Sequence, residues 1–545
     1  MPLQLRIWVF LSGLLIITPL IFWPDLVEYY LTPRFLFLSG WLFIGLLFFY
    51  VRAKGSKSLR IIHALDFSIL GFYVWQLASS IWAPNIGEAL FTAQRTQTLL
   101  LTYFFIRVLY AVKPKETERT LIWSNFGISL IFVGYVTWEI FAKASETGFS
   151  NEALYAVTGP SGNKSLLTEY LFLLLPFNFL GSHKLNRKTL FGTLIVYQMF
   201  LILILQTRTV YLALLLCGLI FLIFRLRQPE GRRWFKEKLI PIIGALAIGV
   251  VGVIFSLGGI SNFINRINPA NWLSSDTAKE RAFVWEKTVG LISENWLIGV
   301  GSGGWKIKFP SQGVGGSWRL DSQNVVFTRT HNDFLEVFAE TGIIGLSLFI
   351  SIFVFALYAG WKAYSKAQDA QRKSVLVVFL GTLGFVVISF FDFPKERMEH
   401  TMLFGVFLGY LAYQGRAALK PRAIKTQPRE WFPVFVGLMA AALAFNINMG
   451  FNRFNGERHV LMMLRAKKSQ LPELMAQEAR HAESYFYTLD PMVVPLSYYE
   501  GLEFYQQQNW EQAAMHFFEA YAKNPYNFHV VNNLATTLTQ MQRYP

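Results

Sequence analysis

Cysteine, charge and the motifs of soluble enzymes are all scarce in this sequence, and each absence excludes something. There is one cysteine, Cys217, in 545 residues, so no intrachain disulfide is possible and the redox compartment stays open. Charged residues make up only 15% of the chain against 53% hydrophobic, which overrules the several soluble domains that length alone would allow. There is no P-loop, no Cys/His metal spacing, no G-x-S-x-G and no D-x-D pair to hold a metal–sugar nucleotide. Chemistry without a metal or cofactor is the expectation. The first hydrophobic segment has no small-residue cleavage site and reads as an uncleaved anchor rather than a signal peptide.

Long apolar runs are what the chain does have. Trp8–Trp23, Phe35–Val51, Leu239–Leu257 and Val375–Phe391 approach or reach the roughly 18–20 residues that cross a bilayer core. The pattern predicts an all-α polytopic membrane protein with about thirteen spans, near 5–23, 35–51, 61–82, 96–112, 120–142, 166–182, 189–206, 209–224, 239–257, 342–360, 374–391, 400–414 and 432–449. One set of alternate loops carries 25 Lys and Arg, and the short loops of the other set carry 7. The positive-inside rule therefore puts the N-terminus in the cytoplasm and the segment from about Gly450 outside. The net charge of +16 is mostly a topology signal, and nucleic acid is not an expected partner.

Two external pieces are too large to be connectors, so the chain divides into a membrane domain, 1–449, containing a large external loop at 258–341, and a helical external domain, 450–545. Helix is expected in the loop over Asp276–Ser293, followed by a Gly-rich turn region from Gly299 to Gly316. In the tail, residues 494–527 fit the 34-residue tetratricopeptide pattern, with Gly501, Phe504, Trp510, Ala513, Phe517, Ala520 and Pro525 in phase. A second repeat begins at Phe528 and stops after one helix, an incomplete unit whose apolar face awaits a protein partner or further chain.

Four places carry ionisable side chains that could do chemistry, each weak by itself, and an exposed arginine on an external helix is unremarkable. Arg329-Thr-His331-Asn332-Asp333-Phe-Leu-Glu336 runs from the large loop into an apolar helix that continues through Glu340, Gly342 and Gly345. Charges entering a membrane helix usually face a cavity or a partner, although a lone histidine is more often structural. Arg208 sits in a two-residue turn on the side where positive charge is disfavoured; an isolated arginine there can also snorkel to lipid phosphates. Arg281 lies on the predicted loop helix, and Asp392 at an outer helix end. Together they supply cations, one imidazole and a carboxylate at one membrane face. Gly299-Val-Gly301-Ser-Gly-Gly304 matches a dinucleotide fingerprint, but no strand–helix–strand unit surrounds it, and that reading is rejected.

At these residues, over roughly 60–415, the chain resembles the O-antigen ligase and polymerase superfamily of integral membrane glycosyltransferases. The matching features are Gly162-Asn163, the Thr207-Arg208 turn, Arg281 with Trp285 and then Gly299-Val-Gly301, the series from His331 to Gly345, and Asp392. Trp296 stands where the family pattern usually has proline. The resemblance implies a GT-C-like fold in the bacterial inner membrane and transfer of a preassembled glycan from undecaprenyl diphosphate to an acceptor hydroxyl, such as lipid A–core, at the periplasmic face. It places Arg208 and Arg281 on the diphosphate, since arginine binds phosphate oxygens bidentately and stays charged. His331 suits the general base. Asp392 or Glu336 would orient His331 or bind the acceptor, with Arg329 and Asn332 in support.

Ligation to lipid A–core is favoured over repeat-unit polymerisation and protein O-glycosylation, which share the core motif. A lipid-linked oligosaccharide transporter would be expected to show internal repeats and paired broken helices near the midplane, and the sequence shows neither. A purely structural scaffold leaves the His331 stretch unexplained.

Overall fold

A computed structural model of the chain describes residues 2–53, 64–148, 150–228, 276–313, 326–417 and 431–542, with isolated positions 233, 237, 244, 251 and 315. The span expected at 239–257, apart from positions 244 and 251, the first part of the large loop and Gly316 lie outside the described residues. Within them the architecture is helical, and the only strand-like pairings are two isolated bridges in the tail, Ser484 with Tyr487 and Leu489 with Pro495.

In chain order the main helices are α1 Leu3–Leu20, α2 Leu31–Ala53, α3 Ala64–Ser79, α4 Ile86–Val112, α5 Pro114–Thr147, α6 Lys164–Lys184, α7 Lys188–Leu205 and α8 Arg208–Leu226. Helix α9, in the large loop, spans Asp276–Glu294, and α10 Asp333–Lys366, α11 Asp369–Phe391, α12 Met398–Ala417 and α13 Trp431–Lys468 follow. The tail adds α14 Pro472–Ala482, α15 Leu496–Gln506, α16 Trp510–Lys523 and α17 Phe528–Gln540. Among the described residues, eight helices are long and apolar enough to cross a membrane: α1, α2, α5, α6, α7, α8, α10 and α11. The protein is thus an all-α, multi-pass membrane protein. Helices α3, α4, α12 and α13 also stand where spans are expected. All four carry ionisable groups, among them Asp66 on α3, Glu88, Arg95 and Arg107 on α4, Glu399, His400 and Arg416 on α12, and Arg453 and Glu457 on α13.

Burial shows which helices are central. In α6, 89% of the apolar window is buried, against 22% in α8. Among the described residues, helix α6 is therefore packed on nearly all sides, whereas most of α8 is left uncovered. Several ends differ from the sequence expectation. Helix α4 begins at Ile86 rather than near 96, because Asn85 caps it by accepting from Glu88 N and Ala89, Phe91 and Ala93 are buried on its first turns. Residues 86–95, expected to be loop, are therefore helix, and Arg95 is buried in it.

Helix α10 starts at Asp333 and is broken at Gly342, where φ is +65°. The Gly-rich turn explains the break. Val300 N donates to Ala339 O at 2.9 Å, Gly301 N to Glu340 O at 2.8 Å, and Ile343 N to Trp296 O at 2.9 Å. A side chain on Gly299 would meet the Glu340 carbonyl carbon at 2.3 Å, and one on Gly342 would meet the Leu297 carbonyl oxygen at 2.2 Å. The glycines let two backbones touch, so the turn serves packing rather than phosphate binding. Trp296 fills its role through its carbonyl, which needs no proline.

Helix α13 runs unbroken from Trp431 to Lys468, so the boundary expected near 449 falls inside one helix. Beyond it Val460, Met463 and Ala466 form one wall of the tail core, facing Met475 and Ala479 of α14 and joined by Tyr499, Phe517 and Leu534. Phe517 of α16 sits over Gly501 of α15, where an added Cβ would lie 2.5 Å from its ring. The tail also touches the large loop: Ile307 clusters with Leu489 and Val493, and Lys308 Nζ donates to Tyr526 Oη at 3.1 Å.

Candidate functional site

Asn332 builds the turn that carries His331. Its Oδ1 accepts from Phe334 N at 2.9 Å and Leu335 N at 3.0 Å, capping α10. Thr330 Oγ1 donates to Asn332 O at 2.7 Å, and Thr330 N donates to Glu336 Oε2 at 3.1 Å. Held between these bonds, His331 adopts φ +54°, a left-handed conformation uncommon for a residue with a side chain. Such conformations persist where surrounding structure enforces them, and they cluster at functional sites.

The imidazole is 40% exposed, while the Asp392 carboxylate facing it is 5% exposed. Nδ1 lies 3.6 Å from Asp392 Oδ1, a close electrostatic contact somewhat longer than a hydrogen bond. The ring also meets Phe393 edge-on at 5.0 Å between centroids. Burial by itself would raise the Asp392 pKa. The facing His331 and the charge of Arg281 outweigh it and hold the carboxyl below its ordinary value. Asp392 is therefore a carboxylate at neutral pH, able to accept an imidazole N–H and to stabilise an imidazolium.

Arg281 reaches this group from α9. One turn later Trp285 Nε1 donates to Thr330 O at 2.9 Å, which docks α9 beside the His331 turn. The Arg208 turn is anchored from the other side. Thr207 Oγ1 donates to Thr168 Oγ1 at 2.9 Å, next to Glu169 in the second turn of α6. Glu169 is fully buried and interacts electrostatically with both Asp392 and Arg281. The hydrogen-bonding and electrostatic contacts thus link Asp392, His331, Arg281 and Glu169, with the Arg208 turn tied to the helix that carries Glu169.

Below the histidine lies a buried ionic network. Lys395 Nζ is 2.8 Å from both Glu336 Oε1 and Glu396 Oε1. Arg329 reaches Glu396 Oε2 at 2.8 Å, and Arg95 of α4 pairs with the same carboxylate. Glu336 is therefore engaged with Lys395 and the backbone of Thr330, whereas Asp392 is the carboxylate that faces the imidazole. Arg329 pairs with Glu396, and the Asn332 side-chain Oδ1 is committed to the helix cap. Sequence reasoning did not single out Lys395, Glu396, Arg95 or Glu169. For Arg95 and Glu169 the available signal was an ionisable residue within or beside an apolar helix, which usually marks a partner or a pathway.

A His2Glu set, His459, Glu478 and His481, lies apart from this site, on α13 and α14.

Residues 193–350 match the family model described as O-antigen ligase. The chain is also 24% identical over 247 residues to the exopolysaccharide production protein ExoQ of Rhizobium meliloti (strain 1021), an alignment covering 43% of this chain and 53% of ExoQ. The chain thus spans about half the length of that curated relative. The matched stretch includes the Arg208 turn, the Arg281 helix, the Gly299–Gly301 turn and the capped His331 turn. Through that domain and that relative, the chain is similar to the O-antigen ligase and polymerase superfamily.

Proposed function

We propose that this protein transfers a preassembled glycan from undecaprenyl diphosphate to an acceptor hydroxyl, on the periplasmic face of the inner membrane, with lipid A–core as the preferred acceptor class. The observation that carries this reading is the half-exposed His331, held in a left-handed turn against a buried carboxylate and beside Arg281.

The chemistry follows from those groups. The acceptor O–H attacks the anomeric carbon, and its proton passes to His331. A glycosidic C–O bond forms as the C–O bond to the diphosphate breaks, and the bonding pair leaves on the diphosphate oxygen. Arg208 and Arg281 bind the diphosphate and stabilise that developing charge. Asp392 orients the imidazole and offsets its positive charge, while Glu336 and Asn332 hold the turn. Direct displacement inverts the anomeric configuration. In this reading the N-terminus is cytoplasmic, the large loop and tail are periplasmic, and α15–α17 form a tetratricopeptide-like platform for a protein partner. No metal or cofactor is required by the proposed step.

A second reading is polymerisation of repeat units, favoured by the relative's role in exopolysaccharide production. Both readings are tested by offering purified protein undecaprenyl-diphosphate glycan with lipid A–core, with a protein acceptor, or alone. Product on lipid A–core that disappears in His331→Ala supports ligation. Lengthening of the donor glycan without an added acceptor supports polymerisation. Retained anomeric configuration in the product would exclude single displacement.

A further inference from the structure

Outside the candidate active site, three metal-ligating side chains converge where the last membrane helix meets the tail. We propose that His459 of α13 with Glu478 and His481 of α14 binds one divalent transition-metal ion of the zinc class, stapling the two helices together. One ligand atom from each residue lies within 4.8 Å of the others.

The geometry suits such an ion. Glu478 and His481 are three residues apart on one helix, so they share a face. His459 projects at them from the antiparallel neighbour, with its Nδ1 2.7 Å from Glu478 Oε2 and its ring 5.4 Å from that of His481. Ligands bound about 2.0–2.1 Å from zinc lie about 3.3 Å from one another in a tetrahedron. On metal binding the 2.7 Å His459–Glu478 hydrogen bond would open toward that separation, and the exposed His481 can close in by turning its side chain. Two imidazoles and one carboxylate form a donor set that zinc accepts, leaving a fourth position for water.

The scaffold beneath is rigid. Gly456, one turn before His459, lies so close to α14 that an added Cβ would be 2.8 Å from Ala482 O, next to His481. Ala479 and Ala482 are buried in the same seam. A competing cation is also turned away: Arg480, between the two α14 ligands, faces Glu503 at 3.2 Å and Glu500 at 3.6 Å. The adjoining Glu457 accepts from Glu28 N at 3.3 Å and also bonds Thr32 Oγ1. The stapled hairpin is thereby tied to the start of α2. Metal binding would therefore fix the direction in which the tail leaves the bundle.

The test uses full-length protein in detergent, purified through a tag without histidine and stripped of metal. Zn2+ is titrated in competition with a chromophoric chelator, and Co2+ is added separately to read the ligand field. The expected result is one equivalent of Zn2+ per chain and an intense tetrahedral Co2+ absorption. Affinity should fall about tenfold or more in His481→Gln, and uptake should be lost in His459→Asn/His481→Gln. His481 is exposed, so its single variant should keep the fold if the double variant does not. Absence of stoichiometric uptake, uptake unchanged in His481→Gln, or a preference for Mg2+ over Zn2+ would each overturn the proposal. Glycan transfer is not part of the readout, so failure here leaves the active-site reading untouched.

Discussion

Two buried charge clusters sit where the membrane bundle meets its external part, and they are built differently. In one, both oxygens of Glu88 are occupied, by Lys306 Nζ at 2.7 Å and Arg453 Nη1 at 3.0 Å. Arg453 is also stacked over Phe91, with its guanidinium carbon 3.9 Å from the ring centroid. That cluster joins three distant parts of the chain: α4, the large loop and α13. In the other, Lys395, Arg329 and Arg95 pair with Glu336 and Glu396 in the same way, but the network ends in a half-exposed His331 with a left-handed backbone. Buried pairing is common to both and therefore does not mark function. The open, strained, titratable group at the edge of one cluster does.

The largest effects should separate the clusters by readout. His331→Ala is expected to reduce transfer by roughly 10²–10⁴-fold, the usual value of a positioned general base. That equals about 2.7–5.5 kcal/mol of barrier. Its thermal unfolding should match wild type, because a half-exposed ring is removed. A variant with normal transfer would take His331 out of the reaction. Arg453→Met should do the reverse. Removing one partner from a buried pair typically costs about 3–5 kcal/mol of stability, so the protein should unfold earlier. The fraction still folded should transfer glycan at the normal rate. If Arg453→Met instead abolished turnover in fully folded protein, the division between a structural cluster and a reactive one would fail.

The comparison also shows what sequence could reveal. Apolar runs close to the length of the bilayer core made the membrane helices legible, and eight described helices are long and apolar enough to cross it. His331, Asp392 and Arg208 could be singled out as candidates because charge is costly at an apolar helix end, and Arg281 through the family resemblance. What stayed hidden depended on distance in the chain. Glu88 and Arg453 are separated by 365 residues, and Arg95 and Glu396 by 301. Neither pair leaves a local pattern. The glycines of 299–301 did leave one, but its meaning was decided by a helix break at Gly342 that folds against them. Helix ends were the weakest part. Asn85 and Asn332 cap helices earlier than the apolar periodicity begins, because polar first turns carry no hydrophobic signal.

A smaller effect should appear where local structure and reactivity share one residue. Asn332→Ala removes both side-chain acceptor bonds at the start of α10. Losing a helix cap costs about 1 kcal/mol, too little to unfold the protein. The same cap positions His331, so transfer should fall more than stability does, while Asn332→Asp, which can still cap, should recover most of it. Equal losses in activity and stability would show that the turn has no positioning role beyond holding the helix.

The weakest expected effect tests whether the tail is coupled to the site at all. Lys308 ends the short helix Trp305–Lys308 of the large loop and reaches Tyr526 in the tail, with Nζ 3.1 Å from Oη and 4.9 Å from the ring centroid. Partly exposed contacts of this kind are worth about 0.5–1 kcal/mol. Lys308→Ala should therefore leave global unfolding almost unchanged. It should still raise hydrogen exchange locally, at 305–312 and in the turn before Phe528, since these segments meet through that side chain and the small apolar cluster of Ile307, Leu489 and Val493. If exchange rose in the His331 turn as well, the loop would transmit tail docking to the reacting groups, through Trp305 and Trp285. Trp305 Nε1 donates to Thr288 on the helix that Trp285 fastens to Thr330. Exchange confined to the loop and tail would mean that Trp285 and the Gly299–Gly301 turn insulate the site, leaving the tail as a platform rather than a regulator.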